Sequence, residues 1–251
     1  KNTFLNSSSA LFEEPENLLK QEVREPSLYN AIISAIATGA SKLSEISTKV
    51  GENSSTCTAY LKNLISLGLV RRETPYGEKN SKKTIYTVED NMFRFWYRFI
   101  PDNASLIVRG ASDLAYQRIR PQLSDYMGKI FEDICTQYLW QLLLNGKSPV
   151  FFKELGRWWG TDPATHAQTE IDIMGEQDKN TALFCECKWT NDLVDSGVLE
   201  LLVHRSQLFH YNSTHLFLFS KNGFTSGCTE MAEKLGNVTL VSYSDIYGSC
   251  Q

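Results

Sequence analysis

The sequence predicts a two-domain chain of mixed α+β and α/β character. An N-terminal winged helix-turn-helix precedes an α/β sandwich built on a mixed central sheet. Three observations carry this. From Ser27 to Val88, three short helical stripes give way to two strand-like runs joined by a polar loop. Beyond Pro121, strand-like runs alternate with helical ones, the pattern of a sheet covered by helices. Between them, Met92–Ile100 is so dense in aromatics that it must be buried among neighbours.

At 251 residues the chain can hold two modest domains with their own cores. A hydrophobic share of 42% and a charged share of 22% are ordinary for a globular protein. No apolar run approaches the roughly 18 residues that span a bilayer, so no membrane association is expected. Lys1–Leu5 runs into Asn6 and three serines rather than an apolar core, unlike a signal peptide. The six cysteines, at 57, 135, 185, 187, 228 and 250, show no CxxC spacing. That argues against zinc and disulfides and for a reduced, cytoplasmic setting.

Residues 1–26 read as a connector. Ser7–Ser9 and Glu13-Glu14-Pro15-Glu16 break regularity, and Leu18, Leu19 and Val23 suit one or two amphipathic turns. From Ser27, Leu28, Ile32, Ile33 and Ile36 form a stripe ending near Gly39. Ser44 and Ser47 flank a short helix that stops at Gly51, and Ser54 and Ser55 cap a third that stops at Gly68. Leu69–Arg72 and Thr84–Val88 make a β-hairpin wing around the loop Pro75–Lys83, so residues 27–100 form the winged helix. Its third helix would offer Ser54, Ser55, Thr58 and Lys62 to a nucleic-acid groove. Arg71, Arg72, Lys79, Lys82 and Lys83 would face phosphates. Residues 42–83 carry eight basic and four acidic groups, against a whole-chain charge of −4. The helix lacks the usual base-reading side chains, so domain docking is an equally physical use for it.

Pro101 ends the aromatic block, where Arg94 and Arg98 at i, i+4 spacing are within reach of a phosphate but are expected to pair with acidic groups instead, and residues 101–120 read as a linker helix. The second domain, 121–251, opens with helix Ser124–Leu144. Strand Val150–Phe152, loop Gly156–Gly160 and strands Thr169–Met174 and Ala182–Trp189 follow. Helix Asp195–Phe209, strand Thr214–Ser220, helix Thr229–Leu235 and strand Val238–Val241 complete it. Gly146-Lys147-Ser148 is no phosphate loop, because Gln141 stands where the first glycine belongs and Pro149 follows; no ATP site is expected in this chain.

The candidate site lies on the paired strands. Alternate residues of a strand share a face, so Glu186 and Lys188 project together and Cys187 points away. A hairpin through Gly175–Thr181 would set Asp172 beside them. Two carboxylates and a lysine at a sheet edge can hold a divalent cation and steady developing negative charge, which suits phosphodiester hydrolysis. A Glu-x-Lys face is also a common solvated ion pair. The apolar neighbours Leu183, Phe184, Cys185 and Trp189 argue for burial instead. Glu132, beside the stripe Met127, Phe131, Ile134, Tyr138 and Leu142, is a third carboxylate near a core-facing edge. Residues 151–195 carry nine acidic and four basic groups, the sign of a cation pocket.

Helix-Glu, strand-Asp and strand-Glu-x-Lys in this order resemble the PD-(D/E)xK nuclease-like superfamily, of restriction-endonuclease-like fold. With Phe93–Phe99, Gly156-Arg157-Trp158-Trp159-Gly160 and Glu170-Ile171-Asp172-Ile173, nearly the whole chain resembles the DUF234-type C-terminal half of archaeal-type DEXX-box ATPases. The resemblance implies that Ala10–Pro15 leaves an N-terminal ATPase domain. It also implies that Asp172, Glu186 and the Cys187 carbonyl hold Mg²⁺ or Mn²⁺, with Glu132 acting through water. Lys188 would orient a water or stabilise the transition state, and Glu170 stands outside. Trp158 and Trp159 suit base stacking or core packing, and Gln207 with Tyr211 matches a helix of exonuclease-like members. The histidines form no ligand set with cysteine and read as structural or surface groups. Two functions follow: a metal-dependent deoxyribonuclease with a DNA-binding winged helix, or a regulatory module of the ATPase that binds nucleic acid or a protein partner without cutting.

Overall fold

The computed structural model describes residues 3–22, 25–78 and 82–248, which divide into two compact units. The first opens with α1 (Ala10–Glu22), a helix of 13 residues rather than the expected turn or two. Leu19 is fully buried and Trp96 Nε1 donates to the Phe12 carbonyl at 2.7 Å, so tertiary packing completes what local propensity left short. Val23 lies outside the described residues. Next come α2 (Pro26–Ala37), α3 (Leu43–Val50) and α4 (Ser54–Ser66). Ile32, Ile33, Ile46, Leu61 and Leu64 close their shared core. α3 stops because Gly51 takes φ +80°, a left-handed conformation that glycine reaches without strain. α4 is capped by Asn53, whose side chain accepts from Thr56 N at 2.8 Å; Ser54 and Ser55 are its first helical residues, not its caps.

Strands β1 (Val70–Glu73) and β2 (Ile85–Val88) pair as an antiparallel ribbon. Asp90 caps α5 (Asn91–Phe99), whose Phe93, Trp96, Tyr97 and Phe99 are buried. Arg94 Nε donates to the Val88 carbonyl at 2.9 Å and Arg98 lies 5.7 Å from the Phe99 ring centre. The linker is two helices, α6 (Ala104–Val108) and α7 (Ser112–Ile119), because Gly110 at φ +76° breaks the run.

The second unit takes in residues 75–78 and the chain from Leu123. α8 (Leu123–Leu144) leads to β3 (Gly156–Thr161), β4 (Gln168–Glu176) and β5 (Thr181–Lys188). Then come α9 (Ser196–Ser206), β6 (Ser213–Ser220), α10 (Ser226–Leu235), β7 (Val238–Ser242) and α11 (Tyr243–Gly248). The sheet order is β3-β4-β5-β6-β7. β3, β4 and β5 pair antiparallel through turns; β5, β6 and β7 pair parallel, each crossover made by a helix. Phe131, Cys135 and Leu139 of α8 pack with Leu183, Cys185, Phe217 and Phe219 on one face. Leu199 and Leu202 of α9 and Cys228 of α10 pack with Phe184, Leu216 and Leu218 on the other.

In the second unit two further expectations fail. The expected strand 150–152 is a loop: Val150 and Phe152 are buried, but Phe151 N finds the Gln177 side chain at 3.1 Å instead of a neighbouring strand. The expected loop Gly156–Gly160 is the edge strand β3, where the paired tryptophans pack on a pleated surface. No helix among the described residues is long and apolar enough to cross a membrane.

Candidate functional site

The site forms where β4 and β5 part. Their pairing ends at Ile173 and Cys185. Toward its start β4 follows β3, pairing Ile171 with Trp158, while β5 follows β6 as far as Lys188 opposite Ser220. Asp172 sits at this fork, and its Oδ2 accepts from Cys187 N at 2.8 Å, a backbone donor the strand pairing leaves open. Oδ1 carries no hydrogen bond among the described residues. Asp172 and Glu186 are only 6% and 3% exposed.

Glu186 is fully engaged. Oε1 accepts from Lys188 Nζ at 2.6 Å and Oε2 from Arg205 Nη1, on α9, at 2.7 Å. Glu132 enters from α8, with Oε1 at 2.9 Å from Lys129 and Oε2 at 3.6 Å from Arg157 Nε. Arg157 also reaches Glu170 at 3.2 Å, so Glu170 lies on the outer side of that bridge.

These charges shift one another. Burial, then repulsion from Glu186 and Glu132, pushes Asp172 up to about 7. Burial also raises Glu132, against the pull of Lys129 and Arg157. For Lys188 burial works downward, but Glu186 and Asp172 outweigh it and hold the ammonium above its ordinary value. Of the sequence-expected group, Glu186 and Glu132 act on Asp172, Glu186 and Asp172 act on Lys188, and Cys187 contributes its backbone N–H. Among the described residues, no three His, Cys, Asp or Glu side chains form a metal-ligand group.

Arg205 was missed from sequence, though a signal existed. It falls in the stripe Val198, Leu202 and Arg205 of α9, where a cation on an apolar face implies a buried partner. Its neighbour His204 bonds Asp162 Oδ2 at 2.8 Å, and that bond, helped by Ala164 N, holds Asp162 down at about 2. Trp158 packs on Phe209 with ring centres 5.0 Å apart, which is core packing. Gln207 and Tyr211 line an open cleft of about 540 Å³ with His210, Asn212 and Asn237. The Tyr211 hydroxyl donates to Glu176 Oε2 at 2.7 Å.

The expected nucleic-acid residues are less uniformly available. Ser54, Ser55, Lys62, Arg72, Lys82 and Lys83 are exposed. The Thr58 hydroxyl donates to the Ser54 carbonyl at 2.7 Å. Arg71 is committed to Glu73 at 3.0 Å and Glu89 at 3.1 Å. Lys79 lies outside the described residues.

Residues 96–200 match the DUF234 family model. Its description is "Archaea bacterial proteins of unknown function". The matched span holds Glu132, Asp172, Glu186 and Lys188 and stops short of Arg205. The chain is 37% identical over 195 residues to uncharacterized protein MJECL04 of Methanocaldococcus jannaschii. That alignment covers 77% of this chain and 42% of the relative, so the chain spans less than half of the relative's length. Among solved structures, protein VC1899 from Vibrio cholerae gives a TM-score of 0.38 at 14% identity, covering 95% of this chain and 54% of that one. NadR in complex with 4-hydroxyphenylacetate gives 0.28 at 16%, covering 48% and 84%. Likenesses this slight carry no argument about fold or activity.

Proposed function

We propose that the second unit is a PD-(D/E)xK-type, restriction-endonuclease-like module that hydrolyses phosphodiester bonds with Mg²⁺ or Mn²⁺. The first unit would be a winged helix that brings it to DNA, both working beside an ATPase domain in a cytoplasmic protein. One observation carries this reading: at the strand fork burial, and then repulsion from Glu186 and Glu132, lifts Asp172 to about 7, a cost that a divalent cation bound there would relieve.

The donor set fits a hard cation. Asp172 Oδ1 is open, the Cys187 carbonyl is an oxygen donor, and Glu186 qualifies once Lys188 or Arg205 releases it. Two carboxylates and a carbonyl leave room for the waters that Mg²⁺ retains, and Glu132 would hold one of these. When bound, the cation would polarise a phosphoryl oxygen and acidify a water. Lys188 would keep its ammonium beside the reacting phosphate. Exposed Lys62, Arg72, Lys82 and Lys83 of the first unit, with Ser54 and Ser55, support phosphate contact more than base readout.

The non-cleaving alternative has its own support. Glu186 already has two cationic partners, so its charge is balanced without a metal. The deciding experiment measures cleavage of plasmid and single-stranded DNA with Mg²⁺ or Mn²⁺, alongside calorimetry and thermal melting. Cleavage abolished in Lys188→Ala, with one cation bound per chain and a melting shift removed by Asp172→Asn, is the expected result. No divalent binding at millimolar metal refutes the catalytic reading.

A further inference from the structure

We infer that the carboxyl edge of β5, β6 and β7 carries an aromatic ledge that stacks the bases of an unpaired nucleic-acid strand. This rests on the reading that the site handles nucleic acid, and not on cleavage. The strand register places the ledge. Lys188 pairs with Ser220 and Ser220 with Ser242, one row across three parallel strands. The next residue of each strand, Trp189, Lys221 and Tyr243, stands one step beyond that row. Lys221 N donates to the Lys188 carbonyl at 3.0 Å, tying two of these strand ends together.

The side chains form a connected surface. Trp189 rests on Phe131 of α8, 5.1 Å between ring centres, and Phe131 immediately precedes Glu132. Lys221 Nζ lies 5.1 Å from the Trp189 ring centre. Tyr243 meets Trp189 edge-on at 5.7 Å, and Tyr247, one turn along α11, lies 6.2 Å from Tyr243. Closing the end of the core explains Trp189 and part of Tyr243. It does not explain Tyr247, which is 67% exposed and has no hydrogen-bond partner for its hydroxyl among the described residues. A large exposed ring continuing a series that ends beneath a lysine matches the physics of single-strand binding. Bases stack on aromatic faces while cations track the backbone. Duplex DNA keeps its base faces covered, so the ligand is an unpaired strand. The position agrees with the general habit of open α/β sheets, which bind ligands outside the carboxyl ends of their strands. Lys221 Nζ bonds Asn191 Oδ1 at 2.6 Å and keeps donors for a phosphate. The nearby carboxylate of Asp245 is turned to Ser242 N at 2.8 Å.

The test uses the full chain in EDTA, so that binding is scored apart from cutting. Anisotropy of a short fluorescent oligothymidylate is measured for wild type, Tyr247→Ala, Tyr247→Phe and Lys221→Gln, with a blunt duplex of two annealed strands as control. Tyr247→Ala is expected to weaken single-strand binding about fivefold or more, the loss of one stacked base. Tyr247→Phe should retain it, and Lys221→Gln should flatten the salt dependence. Duplex binding should not respond to Tyr247→Ala. A wild type that binds no single strand, or a Tyr247→Ala variant that binds like wild type, overturns the ledge. So does a protein partner that Tyr247→Ala releases while oligonucleotide binding stays unchanged. Cleavage that survives removal of the ledge leaves the nuclease reading standing, and binding without cleavage leaves the ledge standing.

Discussion

Replacing Asp172 by asparagine should make this protein more stable at neutral pH, an unusual outcome for a buried polar residue. Asparagine has nearly the same shape, and its carbonyl can still accept from Cys187 N, so the change removes little but charge. In the folded chain the Asp172 pKa is raised from 3.8 to about 7. Because the folded value is the higher one, the group's stabilising contribution is complete below about pH 4, where the carboxyl is neutral in both states. It is lost as pH rises through about 7, where the buried carboxylate must be charged. The difference corresponds to about 4 kcal/mol. Asp172→Asn should therefore match wild type near pH 4 and exceed it by up to ~4 kcal/mol above pH 7. Urea unfolding followed by tryptophan fluorescence across this range gives the stabilities. Carbon-13 titration of the carboxyl, assigned with the variant, gives the midpoint directly. A midpoint near 4, or equal stabilities above pH 7, would refute the idea that burial and like charge raise this group.

Other perturbations follow from the same geometry. Arg205→Met leaves Glu186 Oε2 buried without its cation and should cost about 3 kcal/mol by urea unfolding; in calorimetry, Mg²⁺ binding should tighten once its competitor is gone. Gly175→Ala would set a Cβ 2.7 Å from Leu155 Cδ2 and 3.1 Å from the Glu154 carbonyl oxygen. Backbone cannot yield as a side chain does, so the melting temperature should fall by the equivalent of ~1–3 kcal/mol. Lys82→Glu with Lys83→Glu should weaken duplex binding alike for all sequences and lower the salt slope by about 1 for each phosphate no longer neutralised; binding that ignores salt and both charges would favour protein docking for the first unit.

Much of the site was legible because strand periodicity is strict: once Glu186 and Lys188 shared a face, their pairing followed, and a short turn left Asp172 little choice of neighbour. The helical stripe likewise located Glu132. What sequence could not give was the fork itself, since a strand that changes partners midway has the same alternation as one that does not. The α9 stripe marked Arg205 as a cation in need of a buried partner, but which partner stayed hidden for a related reason. Its partner lies 19 residues away across a crossover, and no local spacing connects them. In the fold, the misread segments were those where tertiary contacts override local preference. Phe151 and Phe152 have strand character but no strand beside them, and the glycines flanking Trp158-Trp159 suggest a loop that pairing with β4 overrides. Gly110 was the reverse case, a visible breaker passed over inside a helical pattern.

The fork between β4 and β5 also leaves an indicator inside the protein. Cys187 N donates to a carboxylate rather than to a peptide carbonyl, so its proton senses the ionisation of Asp172 directly. A charged acceptor makes the shorter and stronger bond. The amide resonance of Cys187 should move downfield, and its exchange with solvent deuterium should slow, as Asp172 loses its proton, while the ladder amide of Cys185 stays still. One nitrogen-15 label at position 187 would then follow the charge state of Asp172, in a chain left otherwise unaltered.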